Sequence, residues 1–146
     1  MEDRYLEGVD SVDAKIQHLQ MIQGIISRMA GNSFLLKGWA VTLIAGIFAL
    51  SSNDTDQRYF LVAYIPILIF WGLDSYYLCQ ERRYRKLYDL VRSKDNEHID
   101  FSMNISADDT VDEKTTYRNC ILSVTELWFY FPLALLSAII IIVTHL

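Results

Sequence analysis

The sequence predicts an all-α integral membrane protein with three transmembrane helices, an N-terminal amphipathic cytoplasmic helix and helical cytoplasmic extensions. Three observations lead there. Apolar residues make up 52% of the 146, and they gather into long blocks instead of spreading at helix or strand periodicity. Residues 34–50, 59–79 and 121–146 each approach or exceed the roughly 20 needed to cross a hydrocarbon core about 30 Å thick. The remaining polar chain is too short to wrap three all-apolar helices, as a soluble bundle would require.

Residues 1–33 form the first unit. Val12, Ile16, Leu19, Ile22, Ile25, Ile26 and Met29 recur at helical spacing, so a helix over residues 11–29 carries a broad apolar stripe, with Asp10 or Ser11 able to cap it. That stripe must be buried against the other cytoplasmic helices, on the inner membrane surface or against copies of itself. The few basic residues here make adsorption to anionic lipid the weakest of the three.

A transmembrane hairpin follows over residues 34–79, with spans 34–50 and 59–79. The first span starts too far into the chain, with no short basic leader, to be a secretory signal. Gly38, Thr42 and Gly46 place small side chains on one of its faces, where another backbone can come close; Ala134 and Ala138 repeat the pattern more faintly in the third span. Pro66 and Pro132 each remove a backbone donor within a span and are the hinge candidates.

Residues 80–120 read as a cytoplasmic helix, linker and helix. Tyr84, Leu87, Tyr88 and Val91 make a second apolar stripe, with Glu81 to Arg85 and Arg85 to Asp89 at ion-pair spacing. The cluster Arg82, Arg83, Arg85 and Lys86 suits a positive-inside anchor among lipid phosphates, or a site for an anionic ligand such as a nucleotide. Residues 100–105 alternate apolar and polar, the pattern of an extended strip laid on something, and Thr110 followed by Glu113 fits a capping box that starts the helix leading into the third span, residues 121–146.

Basic residues set the orientation. The loop at residues 51–58 holds only Arg58, beside Asp54 and Asp56, whereas Arg4, Lys15, Arg28, Arg82, Arg83, Arg85, Lys86, Arg92, Lys94, Lys114 and Arg118 all belong to the other side. The N-terminus is therefore expected in the cytoplasm and the C-terminus, His145 and Leu146, outside. Trp39, Trp71, Tyr76, Tyr77 and Trp128 then lie near the inner ends of the spans and Tyr59 and Phe60 at the outer end of the second, as interfacial anchors do.

Each span carries one ionisable group near its inner end: Lys37, Asp74 and Glu126. Charges inside a membrane are costly and meet a partner, a cavity or a function. A Lys37 pair with either carboxylate would tie two helices and leave one acid over; that acid must protonate, meet Arg82 or a neighbouring subunit, or face water. A ring of Glu126 or Asp74 in an oligomer would attract cations. The nearest approach to a polar stripe is Ser123, Glu126, Tyr130 and Ser137, so any pore needs a hydrophobic constriction that opens on command.

No catalytic chemistry is expected. His18, His98 and His145 are scattered, no zinc-protease, nucleophile-elbow, phosphate-loop or dinucleotide motif occurs, and Cys79 and Cys120 map to the inner boundary as reduced thiols. Two cysteines are too few for a metal site, so neither metal nor cofactor is expected, nor a nucleic acid partner.

The strings GNSFLLKGW at residues 31–39, WGLDSYYLCQERRYRKLY at 71–88 and DFSM at 100–103 resemble a group of small bacterial membrane proteins and the SLATT-type proteins, in which a cytoplasmic helix precedes a pair of spans and another helix follows. The resemblance implies a multi-pass protein of the bacterial inner membrane. It implies a homo-oligomeric membrane effector of antiphage defence that alters permeability, as an ion channel or pore would, when a cytoplasmic partner protein or nucleotide signal acts on it. A non-conducting membrane anchor for a soluble partner is the other expectation.

Overall fold

Both prolines of the chain lie beyond residue 60, and the sequence before them is free to run as one helix. It does: α1 extends without interruption over Glu2–Ser51, 50 residues and about 75 Å long at about 1.5 Å per residue. A computed structural model describes residues 2–51, 62–95, 100–106 and 108–144, with the backbone alone for residues 2–10, 51 and 144. Asp10 and Ser11 are helix interior instead of its cap, because nothing in the preceding residues stops a helix that already has a partner to pack on.

That partner is α2, Tyr64–Ser93. Ile22 and Ile26 of α1 meet Leu87 and Val91 near the C-terminal end of α2, while Ala40 and Ile44 meet Ile67 near its start, so the two helices run antiparallel. Two apolar clusters result on one continuous pair of helices. Pro66 falls in the first turn of α2, where a missing N–H has no carbonyl to lose; it begins a helix and bends nothing within the described part. The expected outer markers Tyr59 and Phe60, the loop with Arg58, and His98, His145 and Leu146 lie outside the described residues.

After α2 the chain lies along the first cluster. Met103 and Ile105 pack on Ile22, Ile26, Leu87 and Val91, and the intervening polar side chains turn back on the backbone: Asp100 and Asn104 accept from the N–H groups of Ser102 (3.1 Å) and Ser106 (3.0 Å). His18, fully buried in α1, faces the carbonyl of Ser102 at 3.2 Å and the ring of Phe101. The alternation at residues 100–105 thus lies as a strip on the helix pair, but not as an uninterrupted extended one, since Phe101 takes a left-handed backbone with φ 52°.

The capping box sits two residues later than the spacing predicts. Asp112, not Thr110, accepts from Thr115 N–H at 2.9 Å while Thr115 Oγ1 accepts from Asp112 N–H at 2.7 Å, and the box opens a 3-10 turn, Glu113–Thr115. A short α3, Tyr117–Ile121, follows, then a break at Leu122 and Ser123, then α4, Val124–Thr144. Ser123 makes the break, since its hydroxyl accepts from Glu126 N–H at 3.4 Å as an N-cap does. Pro132 lies inside α4, which continues through it. Of the predicted ion pairs, Glu81–Arg85 forms at 2.7 Å; Asp89 pairs with Arg92 instead of Arg85.

The described residues contain helices and no strand. Among the described residues two stretches, Ser11–Leu50 and Val124–Val143, are long and apolar enough to cross a membrane, and only 11% and 17% of their most apolar windows are buried within the chain. A core helix of a soluble protein would be mostly buried. The described residues leave most of these faces uncovered.

Candidate functional site

Lys37, Asp74 and Glu126 come together where α1, α2 and the first turn of α4 meet. Lys37 Nζ forms an ion pair with Asp74 Oδ2, lies 3.2 Å from Glu126 Oε1, and donates to Ser33 Oγ one turn earlier at 3.2 Å. Both carboxylates are buried. Tyr130, one turn after Glu126 and also buried, donates its hydroxyl to Asp74 Oδ2 at 3.1 Å. One ammonium therefore holds two acids on two helices, and a phenol from the third element shares the first of them. No acid is left without Lys37. Each instead keeps one oxygen, Asp74 Oδ1 and Glu126 Oε2, buried without a hydrogen-bond partner.

The ammonium is further framed by the rings of Phe129 and Tyr130, with centroids at 5.7 and 5.9 Å. Trp71 stacks on Tyr130 at 6.1 Å and donates its indole N–H to the carbonyl of Ile121 at 3.0 Å. It is a strut between α2 and the α3–α4 junction. Tyr117 does the same from the other side, donating to the carbonyl of Gly72 at 3.0 Å; a side-chain carbon on Gly72 would stand 3.4 Å from that hydroxyl. Trp39 and Trp128 do face outward, 59% and 77% exposed. Sequence reasoning named Tyr130 in a polar stripe and Trp71 as an inner-end aromatic, but placed neither in the charge cluster. Their spacing from Glu126 and Asp74, one helical turn or less, was the available signal.

Most of the polar residues at the start of α4 and along it point inward, Thr125 excepted. Ser123, Glu126, Tyr130 and Ser137 are all buried, and Tyr64, at the start of α2, donates to the carbonyl of Ala134 at 3.3 Å. Gly38 and Gly46 of α1 face away: a side-chain carbon on either would meet nothing within 4 Å, and Thr42 donates back to the Gly38 carbonyl at 2.9 Å. Within one chain the small-residue face is unused.

Beyond the cluster, the predicted basic residues divide. Arg85 pairs with Glu81, and Lys86 with Asp112. Arg82 does not reach Glu126; it donates to the carbonyl of Lys114 at 3.0 Å. Arg83 stands apart, its Nε buried without a partner. Cys79 and Cys120 are buried free thiols, the first donating to the carbonyl of Thr115 at 2.8 Å.

Burial, and then the neighbouring Cys79, push the Cys120 thiol up to about 11. A thiol so raised stays protonated at neutral pH, and the thiolate is the nucleophile. Alkylation of Cys120 by iodoacetamide at pH 7 is expected to be slow in the folded protein and to reach the rate of a free thiol only in denaturant. The stability that this proton contributes is complete below the ordinary thiol value near 9 and disappears as pH rises from there through about 11. Mass-spectrometric counting of adducts against time checks the first part; equally rapid native labelling would contradict it.

Among the described residues no group of three or more His, Cys, Asp or Glu side chains is placed to hold a metal ion. No protein-family model, curated protein or solved structure matches the chain.

Proposed function

We propose that this chain is a three-span protein of the bacterial inner membrane, N-terminus inside and C-terminus outside, that assembles as a homo-oligomer. In this reading it is the membrane effector of an antiphage system, raising ion permeability when a cytoplasmic partner or nucleotide signal acts on its helical extensions. The apolar first half of α2 supplies the second span, and the resemblance of residues 31–39 and 71–88 to SLATT-type proteins supplies the biological setting.

The observation that carries the reading is the closure of the polar face of α4. Glu126, Tyr130 and Ser137 are buried inside the bundle, with Ser123 at its edge and Lys37 drawn onto both acids. Conduction then requires the helices to part, which exposes two carboxylates to passing cations. Because α1 is one rigid helix from its N-terminal stripe to Lys37, a push on the cytoplasmic end is transmitted to the cluster. Gly38, Thr42 and Gly46 offer the outward face for a second copy.

One observation favours the alternative, a non-conducting anchor for a soluble partner: Lys37 engages both acids, as a purely architectural tie would. Expression in bacteria with a membrane-potential dye separates the two. The effector depolarises cells, and Glu126→Gln, which keeps an oxygen for Lys37 but removes a charge, changes the depolarisation at equal protein level. Absence of depolarisation and growth arrest, with the neighbouring gene product also present, would sink the effector.

A further inference from the structure

Where α2 leaves the charge cluster, it forms with the segment before α4 a cavity of about 730 Å³. Its polar wall carries Arg82, Arg85, Lys86 and Lys114 against a single acid, Glu113. Arg85 and Lys86 are matched by Glu81 and Asp112. Arg82 and Lys114 have no carboxylate within 4 Å among the described residues; both line the cavity, and Arg82 is fixed by donating to the Lys114 backbone carbonyl. The floor is the start of α4, a 21-residue helix, with the hydroxyls of Ser123 and Thr125. Positive groups, hydroxyls and the amino end of a long helix around one cavity are the chemistry of a phosphate site.

A second cavity, of about 540 Å³ and almost wholly apolar, lies further along the same helix, lined by Leu127, Trp128, Phe131, Pro132 and Leu135. Val124, on the floor of the first cavity, shares a helical face with Trp128, Phe131 and Leu135, and all four are at least half exposed. From Val124 to Leu135 that face descends about 16 Å, close to one leaflet of a hydrocarbon core about 30 Å thick. Arg82 stands about 12 Å along α2 from Asp74, at the level expected for headgroups if the cluster lies just inside the hydrocarbon.

We infer that the two cavities are one site for an anionic glycerophospholipid, its phosphate between Arg82, Lys114 and the start of α4 and one acyl chain in the groove from Val124 to Leu135. The inference rests on the three-span reading. It also gives the basic cluster a specific role. A bound phosphate bridges α2 to the segment that delivers Glu126, so lipid occupancy holds the charge cluster closed.

The test uses the full chain purified in mild detergent, with retained lipid read by native mass spectrometry and unfolding read by heating with added phosphatidylglycerol, phosphatidylcholine or inorganic phosphate. Expected are retention of phosphatidylglycerol in preference to phosphatidylcholine, a higher unfolding midpoint with it, and a several-fold loss of retention in Lys114→Gln. Lys114 is exposed and makes no side-chain contact that folding requires, so this variant stays folded. Phe131→Ser should weaken retention of both lipids. Equal retention of the two lipids, unmoved by Lys114→Gln, overturns the site. Inorganic phosphate raising the midpoint as much as phosphatidylglycerol overturns the lipid assignment in favour of a free anion. Retained lipid without cellular depolarisation leaves the site standing and removes only the permeability reading; protein washed from membranes by carbonate overturns both.

Discussion

Lys37→Ala is expected to destabilise the protein by about 3–5 kcal/mol, the cost of leaving buried charge without its partner. Two carboxylates on different helices share that ammonium, and each already has one oxygen with no hydrogen bond. Without Lys37 the two buried carboxylates repel each other, and the junction of α1, α2 and α4 must open or take up protons. The same argument predicts recovery. Lys37→Met combined with Asp74→Asn and Glu126→Gln removes all three charges, keeps the volumes and should restore most of the loss, because a buried ion pair is close to neutral against an uncharged replacement. Thermal unfolding in detergent, compared across the single and triple variants, checks both. A loss below about 1 kcal/mol for Lys37→Ala would mean that the acids are solvated, as exposed pairs are.

Ile22→Ala is the second large effect, expected to cost about 2–5 kcal/mol. Ile22 has no exposed surface and sits at the centre of the cluster with Ile26, Leu87 and Val91, covered by Met103 and Ile105. A cavity there loosens α1 from α2 and frees the strip at residues 100–106. Hydrogen exchange in that strip should therefore rise together with the fall in the unfolding midpoint. Val12→Ala, on the same helix but 41% exposed, is the internal control and should change either readout little. Equal effects of the two substitutions would mean that the apolar stripe of α1 packs elsewhere.

Much of this arrangement is legible one residue at a time. A helix reports its buried face through spacing, so Ile22, Ile26, Leu87 and Val91 could be read as paired stripes before their pairing was known. The alternation at residues 100–105 likewise announces a strip with one face down. Boundaries were less legible. Thr110 and Asp112 are both good caps, and only the fold of the loop selects Asp112. Only the start of α2 shows that Pro66 stands in a first turn, and only the fold sets Trp71 beside the carbonyl of Ile121.

The sequence by itself determined the helical class, the apolar stretches and the three ionisable side chains at matching depth, because hydropathy, periodicity and charge are properties of consecutive residues. Only the tertiary structure decided how those charges divide. Counting suggested one pair and one spare acid. The crossing of three elements puts Lys37 within reach of both acids, adds the Tyr130 hydroxyl to Asp74 and turns Arg82 away toward Lys114. Partners so far apart along the chain are chosen by helix packing and by the cost of leaving a buried charge alone, and neither can be read from local spacing.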